Sequence, residues 1–574
     1  MWRMLFIWFN DVPDVVYPLF KAFKLDVSMI CGVFLAGFFL WFMFLITGWG
    51  WVKKLNTGFH IFLWATICLV ELGSVLIYKE WGSVLDVRAL SYLQHPKEAW
   101  ASSKDFIPFP QIVIGLVIFV FGVICLFKIF KFWNGVIIRQ WYIQLYIFLI
   151  AGLGILGLRG GWQKLPIVPS DSFYSKEMKN NFAATNKIWY FLYSISHKTT
   201  IQLSNSEREI QAFQLKYLSD TLCHEKERNK WTNKNIVFVI FEGWSADMVK
   251  YLGGGEKVAP FFDSLSDYSI KFTNAFSTGF RTDQGLMSIL SGVPSIQSIN
   301  MPNVIDKVAH YPSLPIAIKS KRTECSFIYG GDLNFSNLYN YLTLMGFDTI
   351  ISGKDFEDSD NITEWGVPDH IMLEKAVSVL NDHKELFFST ILLLSSHSPF
   401  EVPWSNEFSK KTDIPSRYKS SVRYSDESLR HFFRLAKNTG WYSNTLFVIT
   451  SDHGSTHSAY AGMEDHSRFR IPLIFFDPAA DATGVARTID TPCNHFDLPK
   501  TIISTIGGDD HNFVFGRDIF CLNPKRYAYW NVDVAAGSFG LSENNISVVS
   551  SHNEGNDSDA ILFVDMIKKW FMEL

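Results

Sequence analysis

Four long apolar stretches crowd the first 160 residues, at about 27–51, 59–78, 112–127 with its flanks, and 141–158. A helix needs roughly 20 such residues to cross a bilayer. In hydrocarbon every backbone polar group must be satisfied within the segment, so these stretches predict helices. They exclude a single water-soluble globule. The first twenty residues do not qualify as a span, because Asn10, Asp11, Pro13 and Asp14 interrupt them. No basic, apolar and small-residue succession marks a cleavable signal there.

Short-loop cations set the expected orientation. Lys53 and Lys54 follow the first stretch, and Lys128, Lys131 and Arg139 follow the third, so both loops belong on the cytoplasmic side. Four crossings then place residue 160 onward outside, together with the N-terminus. An outside start predicts one more span upstream. The nearly charge-balanced loop 79–107 suits the outer side. Cys31, Cys68 and Cys125 fall within the stretches as packing residues. Cys223, Cys325, Cys493 and Cys521 lie beyond them in no CxxC spacing, which leaves room for a disulfide or two.

The remainder has the composition of an ordinary soluble domain. Lys and Arg (52) nearly balance Asp and Glu (56), so no basic field calls for nucleic acid. Residues 159–232 form a connector, with a charge-rich, solvated helix expected over 204–230. From residue 235 short apolar runs alternate with helical stretches, at 236–241, 325–329, 386–394, 445–450 and 471–476. Each is β-branched or aromatic and ends in a Gly-, Ser- or Asp-containing turn, as buried parallel strands of an α/β sheet do. Past about residue 524 the chain is Asn/Ser/Gly-rich. It closes with an amphipathic helix over 559–574 that is expected to dock on the globule in preference to touching the membrane. The expected division is a segment 1–26, four spans within 27–158, a connector 159–232, a catalytic domain 233–525 and a C-terminal subdomain 526–574.

Ligands of open α/β sheets bind beyond the carboxyl ends of the strands. Glu242, Gly330-Gly331-Asp332, Ser395-Ser396-His397 and Asp452-His453 each follow an apolar run directly. Glu242, Asp452, His453 and the alcohol of Thr282 make a ligand set for a divalent metal that holds an activated threonine nucleophile. One nitrogen with several oxygens suits zinc or manganese, with magnesium possible. Thr282 alone would pass for a helix N-cap; the company of the other three makes it a nucleophile. The run after it predicts a helix ended by Gly292 and Pro294, whose N-terminus favours a phosphate or sulfate oxygen. Arg281 adds charge stabilisation. His397 is a candidate acid for the departing alcohol, or a group that holds a phosphoryl oxygen. Asp332, Asn334 and His466 are candidate substrate contacts; His457 and His466 flank the Asp452 loop, where either could be a plain surface histidine. No GxxxxGK[ST], HExxH or GxSxG run and no internal repeat occurs.

These residues resemble the alkaline-phosphatase/sulfatase superfamily, and within it the lipoteichoic-acid-synthase-like membrane transferases. The matching runs are Phe241-Glu242-Gly243-Trp244, Arg281-Thr282-x-x-Gly285 with Leu290-Ser-Gly-Val-Pro294, Ser-Ser-His397-Ser-Pro-Phe400 and Ser-Asp452-His453-Gly454. Phe23-Lys-Leu-Asp26 and Arg159-Gly-Gly-Trp162 resemble that family's membrane part. The resemblance implies a multi-pass α-helical membrane domain, of five spans in the family, and then an α/β sulfatase-like domain with a mainly parallel sheet. It further implies a bacterial cytoplasmic membrane location with the catalytic domain extracytoplasmic. The implied reaction moves phosphoglycerol from phosphatidylglycerol to an envelope glycan or glycolipid through a phospho-threonine, with manganese. By position, Glu242, Thr282, Asp452 and His453 would be the metal site and His397 a phosphate contact. The chain departs from the family after the third strand, where the family's Trp and Arg are replaced by the run from Gly331 to Leu338.

Two other enzymes share the pattern. A phosphoethanolamine transferase uses the same metal and threonine. A sulfate or phosphate ester hydrolase is less well served, because a sulfatase needs a Cys/Ser-x-Pro-x-Arg run and residues 277–285 have none. A non-catalytic envelope protein would carry buried, unpaired carboxylates at a cost and without use.

Overall fold

Met1–Lys198 and Thr199–Leu574 are two compact units of the chain. The computed structural model describes residues 1–81, 84–87, 89, 109–133, 141–163, 166–175, 177–196, 203–217, 230–255, 257–296, 299, 301–319, 324–360, 362–455, 457, 466–481, 487–521, 527–531, 538–543, 545–550 and 558–574.

The first unit is helical: α1 (Trp2–Phe9), α2 (Val16–Thr47), α3 (Gly50–Trp81), α4 (Phe109–Trp133), α5 (Trp141–Arg159), α6 (Met178–Ala184) and α7 (Lys187–Ser196). Val16–Phe44, Gly50–Tyr78 and Phe109–Phe130 are long and apolar enough to cross a membrane, which makes this unit a membrane anchor. The fourth expected span is the 19-residue α5, whose described apolar part is Phe148–Arg159. Helices α2 and α3 exceed their apolar runs at 32 residues each, about 48 Å by helical rise. Lys53 and Lys54 therefore sit in the first turn of α3 and not in a loop. Gly48 allows this: its φ of +69° ends α2, and α3 starts two residues later.

One end of the unit collects polar groups. Arg3 makes a two-pronged ion pair with Asp26 at 2.7 and 2.9 Å, and Asn186 donates to the same carboxylate at 2.9 Å. Ser28 Oγ donates to the carbonyl of Leu158 at 2.6 Å and accepts from the Trp189 indole at 3.0 Å. Ser28 of α2 and the end of α5 thus meet at this end.

The second unit is built on an eight-stranded sheet in the order β5-β4-β6-β1-β7-β8-β2-β9. Its strands are β1 (Asn235–Phe241), β2 (Ile270–Phe272), β4 (Glu324–Tyr329), β5 (Thr349–Ile351), β6 (Phe387–Leu392), β7 (Thr445–Ser451), β8 (Leu473–Phe476) and β9 (Arg487–Ile489). Strand β3 (Ala275–Phe276) pairs separately with β10 (Cys493–Asn494). Strands β4, β6, β1 and β7 run parallel, as expected, and β5, which was not among the expected strands, joins them parallel to β4. Strand β8 corrects the expectation for 471–476, because it runs antiparallel to β7. A parallel partner would need a crossover over the sheet face. The described residues between β7 and β8 hold only the turn His466–Phe469.

Helices cover the sheet. Val237, Val239 and Phe241 pack with Met372, Leu373, Ala376 and Leu380 of α11 (Asp369–Asp382) and with Val422, Leu429, Phe432 and Phe433 of α12 (Ile414–Ala436). Ahead of them in the chain lie α8 (Glu207–Tyr217), α9 (Pro260–Ser266) and α10 (Thr282–Ser291); after them come α13 (Asp497–Thr505) and α14 (Ser558–Glu573). The closing helix docks on the globule: Phe563, Ile567 and Phe571 are buried, and Asp565 accepts from the backbone of Ser204 and Asn205 at 2.8 Å each. Cys325 and Cys493 are free thiols, and Cys521 is disulfide-bonded.

Candidate active site

Register brings the strand ends to one level. Phe241 of β1 lies opposite Ser451 of β7, Ile240 opposite Leu392 of β6, and Leu392 opposite Tyr329 of β4. The next residues along, Glu242 and Asp452, emerge side by side. Gly243 takes φ +61° and turns the chain. Its N–H donates to Asp452 Oδ1 at 2.8 Å, and the Trp244 N–H donates to Ser451 Oγ at 2.7 Å. Trp244, fully buried, stacks on Phe241 with ring centres 3.7 Å apart. The Tyr418 hydroxyl donates to the Gly243 carbonyl at 2.7 Å. Each bond fixes the direction in which Glu242 leaves its strand.

Thr282 arrives from another element. It is the first residue of α10, and its Oγ1 donates to Glu242 Oε2 at 3.1 Å. Gly285 makes the approach possible, since a Cβ there would overlap the carbonyl oxygen of Asp452. Arg281 precedes the helix and pairs with Asp283 at 3.3 Å.

One ligand atom each from Glu242, Asp452 and His453 fits within a 4.8 Å cluster. His453 Nδ1 donates to the Gly454 carbonyl at 2.9 Å, which points Nε2 at Glu242 Oε1 and Asp452 Oδ2, both 3.5 Å away. This is the tautomer a metal-ligating histidine needs. Asp452 is fully buried, and its Oδ2 has no hydrogen-bond partner. A buried carboxylate oxygen needs a cation facing it, a place that His453 takes at 3.5 Å and a metal ion could share. The residues therefore fit a divalent metal.

The electrostatics of the bare cluster agree. Burial and the charge of Glu242 push Asp452 up to about 7. Burial opposes ionisation of Glu242, but the hydrogen bond and charge of His453 and the charge of His397 prevail and hold it at about 2. Burial would lower His453; Asp452 and Glu242 raise it to about 10. A proton on His453 here supplies part of the positive charge that a metal would bring.

His397 follows β6 and sits in a turn, donating from Nδ1 to the Ser398 carbonyl at 2.7 Å. Its charge is felt at Glu242. Asp332 and Asn334 are exposed after β4, tied to each other by the Asn334 N–H on Asp332 Oδ1 at 2.9 Å. His457 packs its ring 5.3 Å from Phe400, and burial and the Arg468 charge lower its pKa. His466 opens the turn before β8, and its side chain lies outside the described residues.

Three contributors carried no sequence signal. Trp365 rests on His397 with ring centres 3.8 Å apart, and its indole N–H donates to the same Ser398 carbonyl at 2.7 Å. Asp369 accepts from the N–H groups of Leu394 and Ser395 at 2.8 and 3.0 Å and so shapes the turn that ends in His397. Tyr329, at the end of β4, is raised by burial and by the charges of Glu242 and Asp452, which places its hydroxyl within their field.

The carboxyl edge of the sheet thus gathers two carboxylates, an imidazole and an alcohol, a set suited to holding a divalent cation beside a nucleophile. Residues 234–508 match the Sulfatase family model. It is 23% identical over 308 residues to the lipoteichoic acid synthase-like YvgJ of Bacillus subtilis, covering 50% of this chain and 49% of the relative. It is 25% identical over 316 residues to the lipoteichoic acid synthase of Staphylococcus aureus, covering 50% and 47%. The chain thus spans about half the length of the curated relatives it matches. Among solved structures, an alkaline phosphatase superfamily protein of Vibrio parahaemolyticus is similar with a TM-score of 0.55, 23% identity and coverage of 64% and 96%. Lipoteichoic acid synthase LtaP of Listeria monocytogenes gives 0.52, 17%, and 64% and 96%. At such identities the likeness shows the fold.

Proposed function

We propose that this protein transfers a phosphoglycerol, or a similar phospho-alcohol, from a membrane phospholipid to an envelope acceptor through a phospho-threonine at Thr282. The observation that carries the reading is the 3.1 Å contact of Thr282 Oγ1 with Glu242 at the edge of the metal-fitting cluster. Similarity to lipoteichoic acid synthases supports phosphatidylglycerol as donor and a glycan or glycolipid as acceptor. It also supports a bacterial cytoplasmic membrane location with the catalytic unit on the outer side.

Glu242, Thr282, Asp452 and His453 would hold the cation, manganese in this reading, with zinc or magnesium as substitutes; when bound it lowers the pKa of the Thr282 hydroxyl and offsets the carboxylate charge. Thr282 Oγ1 gives up its proton along its hydrogen bond to Glu242 and forms a bond to the head-group phosphorus. The bond from phosphorus to the diacylglycerol oxygen breaks, and His397 gives that oxygen its proton. The first turn of α10 offers backbone N–H groups to the phosphoryl oxygens, and Arg281 adds charge. The acceptor hydroxyl then attacks phosphorus in line with Thr282 Oγ1 and yields its proton to His397; the bond from phosphorus to Thr282 Oγ1 breaks, and Oγ1 takes its proton back from Glu242. Asp332, Asn334 and His466 are assigned to the head group or acceptor.

The test is intact mass of the full chain in lipid bilayers after incubation with manganese and phosphatidylglycerol. A gain equal to phosphoglycerol on the Thr282 peptide, absent from Thr282→Ala, is expected. A phosphoethanolamine adduct from mixed lipids would keep the nucleophile and replace the substrate. Turnover by Thr282→Ala at the parent rate would overturn the mechanism.

A further inference from the structure

We propose that the anchoring unit binds one acyl chain of a bilayer phospholipid in a groove beneath α7. The groove has a volume of about 420 Å³. Gly32 and Ala36 of α2 form its floor, Phe59 and Leu63 of α3 its far wall, and Trp189 and Tyr193 of α7 its roof. Its reach along α2, from Met29 to Ala36, corresponds to about 10 Å of helical rise.

Helix α7 is pinned over the groove. Asn186, just before α7, holds Asp26 at 2.9 Å, Trp189 holds Ser28 at 3.0 Å, and Ser194 Oγ accepts from the Val87 N–H at 2.8 Å. Leu192 and Ile195 of the same helix remain 54% and 42% exposed. An amphipathic helix of this kind lies in the membrane interface.

The occupant follows from shape and polarity. A groove of about 420 Å³ lined almost wholly by hydrocarbon suits an extended apolar chain. Water in the trough would lack the two to four polar partners that hold a buried water. The floor and far wall belong to the spans Val16–Phe44 and Gly50–Tyr78, where the surrounding solvent is hydrocarbon. The lining offers polar groups only from α7, on Trp189, Tyr193 and Ser196. A trough of hydrocarbon whose polar groups all lie along α7 matches a lipid with its chain inside and its head beside that helix. The site stands independently of the transferase reading.

The test uses the full chain in bilayers of phosphatidylcholine carrying a photoreactive diazirine on one acyl chain, with adducts mapped by mass spectrometry. Adducts at Leu63 and Tyr193 are expected to exceed those at Phe39 and Leu153, which are 62% and 65% exposed on the outside of the unit. Ala36→Phe fills the floor and is expected to cut labelling at Leu63 about tenfold while leaving Leu153 unchanged. Leu63→Trp fills the groove from the other wall and is read at Tyr193. Equal labelling inside and outside, or Leu63 labelling untouched by Ala36→Phe, would mean annular lipid only and overturn the proposal. The inside-to-outside contrast in the parent chain decides by itself if neither variant folds.

Discussion

Asp369 and Asp426 are both fully buried acids with no lysine or arginine among the described residues hydrogen-bonded to them, and each caps backbone from another element. Asp369 serves the turn before His397. Asp426 accepts from the N–H groups of Phe261 and Phe262, at 2.9 and 2.8 Å, in the first turn of α9. Burial outweighs those bonds and pushes Asp426 from its ordinary 3.8 up to about 7. The folded state therefore holds a proton that the unfolded chain gives up above pH 4. Stability contributed here is present below about pH 4 and is lost as pH rises through about 7. Asp426→Asn mimics the protonated acid, so its melting temperature, taken with metal present, should gain on the parent between pH 5 and 8. A constant gap across that range would contradict the assignment. Neither aspartate could be found in the sequence, because each lies mid-helix or at a helix start and meets its partners only across the fold. Glu242, Asp452 and His453 were legible because each directly follows an apolar run, and strand ends are where such sheets bind. Trp365 was not: it reaches His397 from a loop 32 residues away.

At the scale of elements, the contact of α10 with the end of β7 decides whether Thr282 reaches Glu242. Gly285 sits at that contact, and its missing Cβ is the clearance between helix and strand. Gly285→Ala has helix propensity in its favour, yet must move backbone against backbone. Overpacking of this sort costs about 1–3 kcal/mol. Thermal unfolding should show that loss, and phospho-threonine formation should fall more than stability does, because a shift of about 1 Å at a nucleophile can cost about a hundredfold. Unchanged transfer would mean that α10 does not position Thr282. The helix itself was legible from the run between Thr282 and Gly292, as were the five long strands. The three-residue strands β2, β5 and β9 were not, since pairing with a neighbour defines them and no local pattern does. The direction of β8 escaped for a related reason. An apolar run of four residues looks the same in either sense, and only the path of the chain between β7 and β8 chooses.

At the scale of the whole molecule, the cation-fitting cluster belongs entirely to the second unit, while the first is held by apolar helices and the Arg3–Asp26 pair. A ligand that binds only the folded state stabilises it by RT ln(1 + [L]/Kd), about 2.7 kcal/mol at a hundredfold excess over Kd. In a unit of several hundred residues that is a rise of several degrees. Manganese should therefore raise one unfolding transition and chelation should lower it, whereas the transition of the anchor should follow the lipid and ignore the metal. Removing the partnerless carboxylate oxygen by Asp452→Asn separates two origins of the shift. If the cation is held by this cluster, the variant melts near the metal-free parent and no longer responds to manganese, because the charge that required compensation has gone together with the ligand. If the variant keeps the full response, the metal binds elsewhere, and His453, raised by the two carboxylates, is itself the permanent counter-ion of the site.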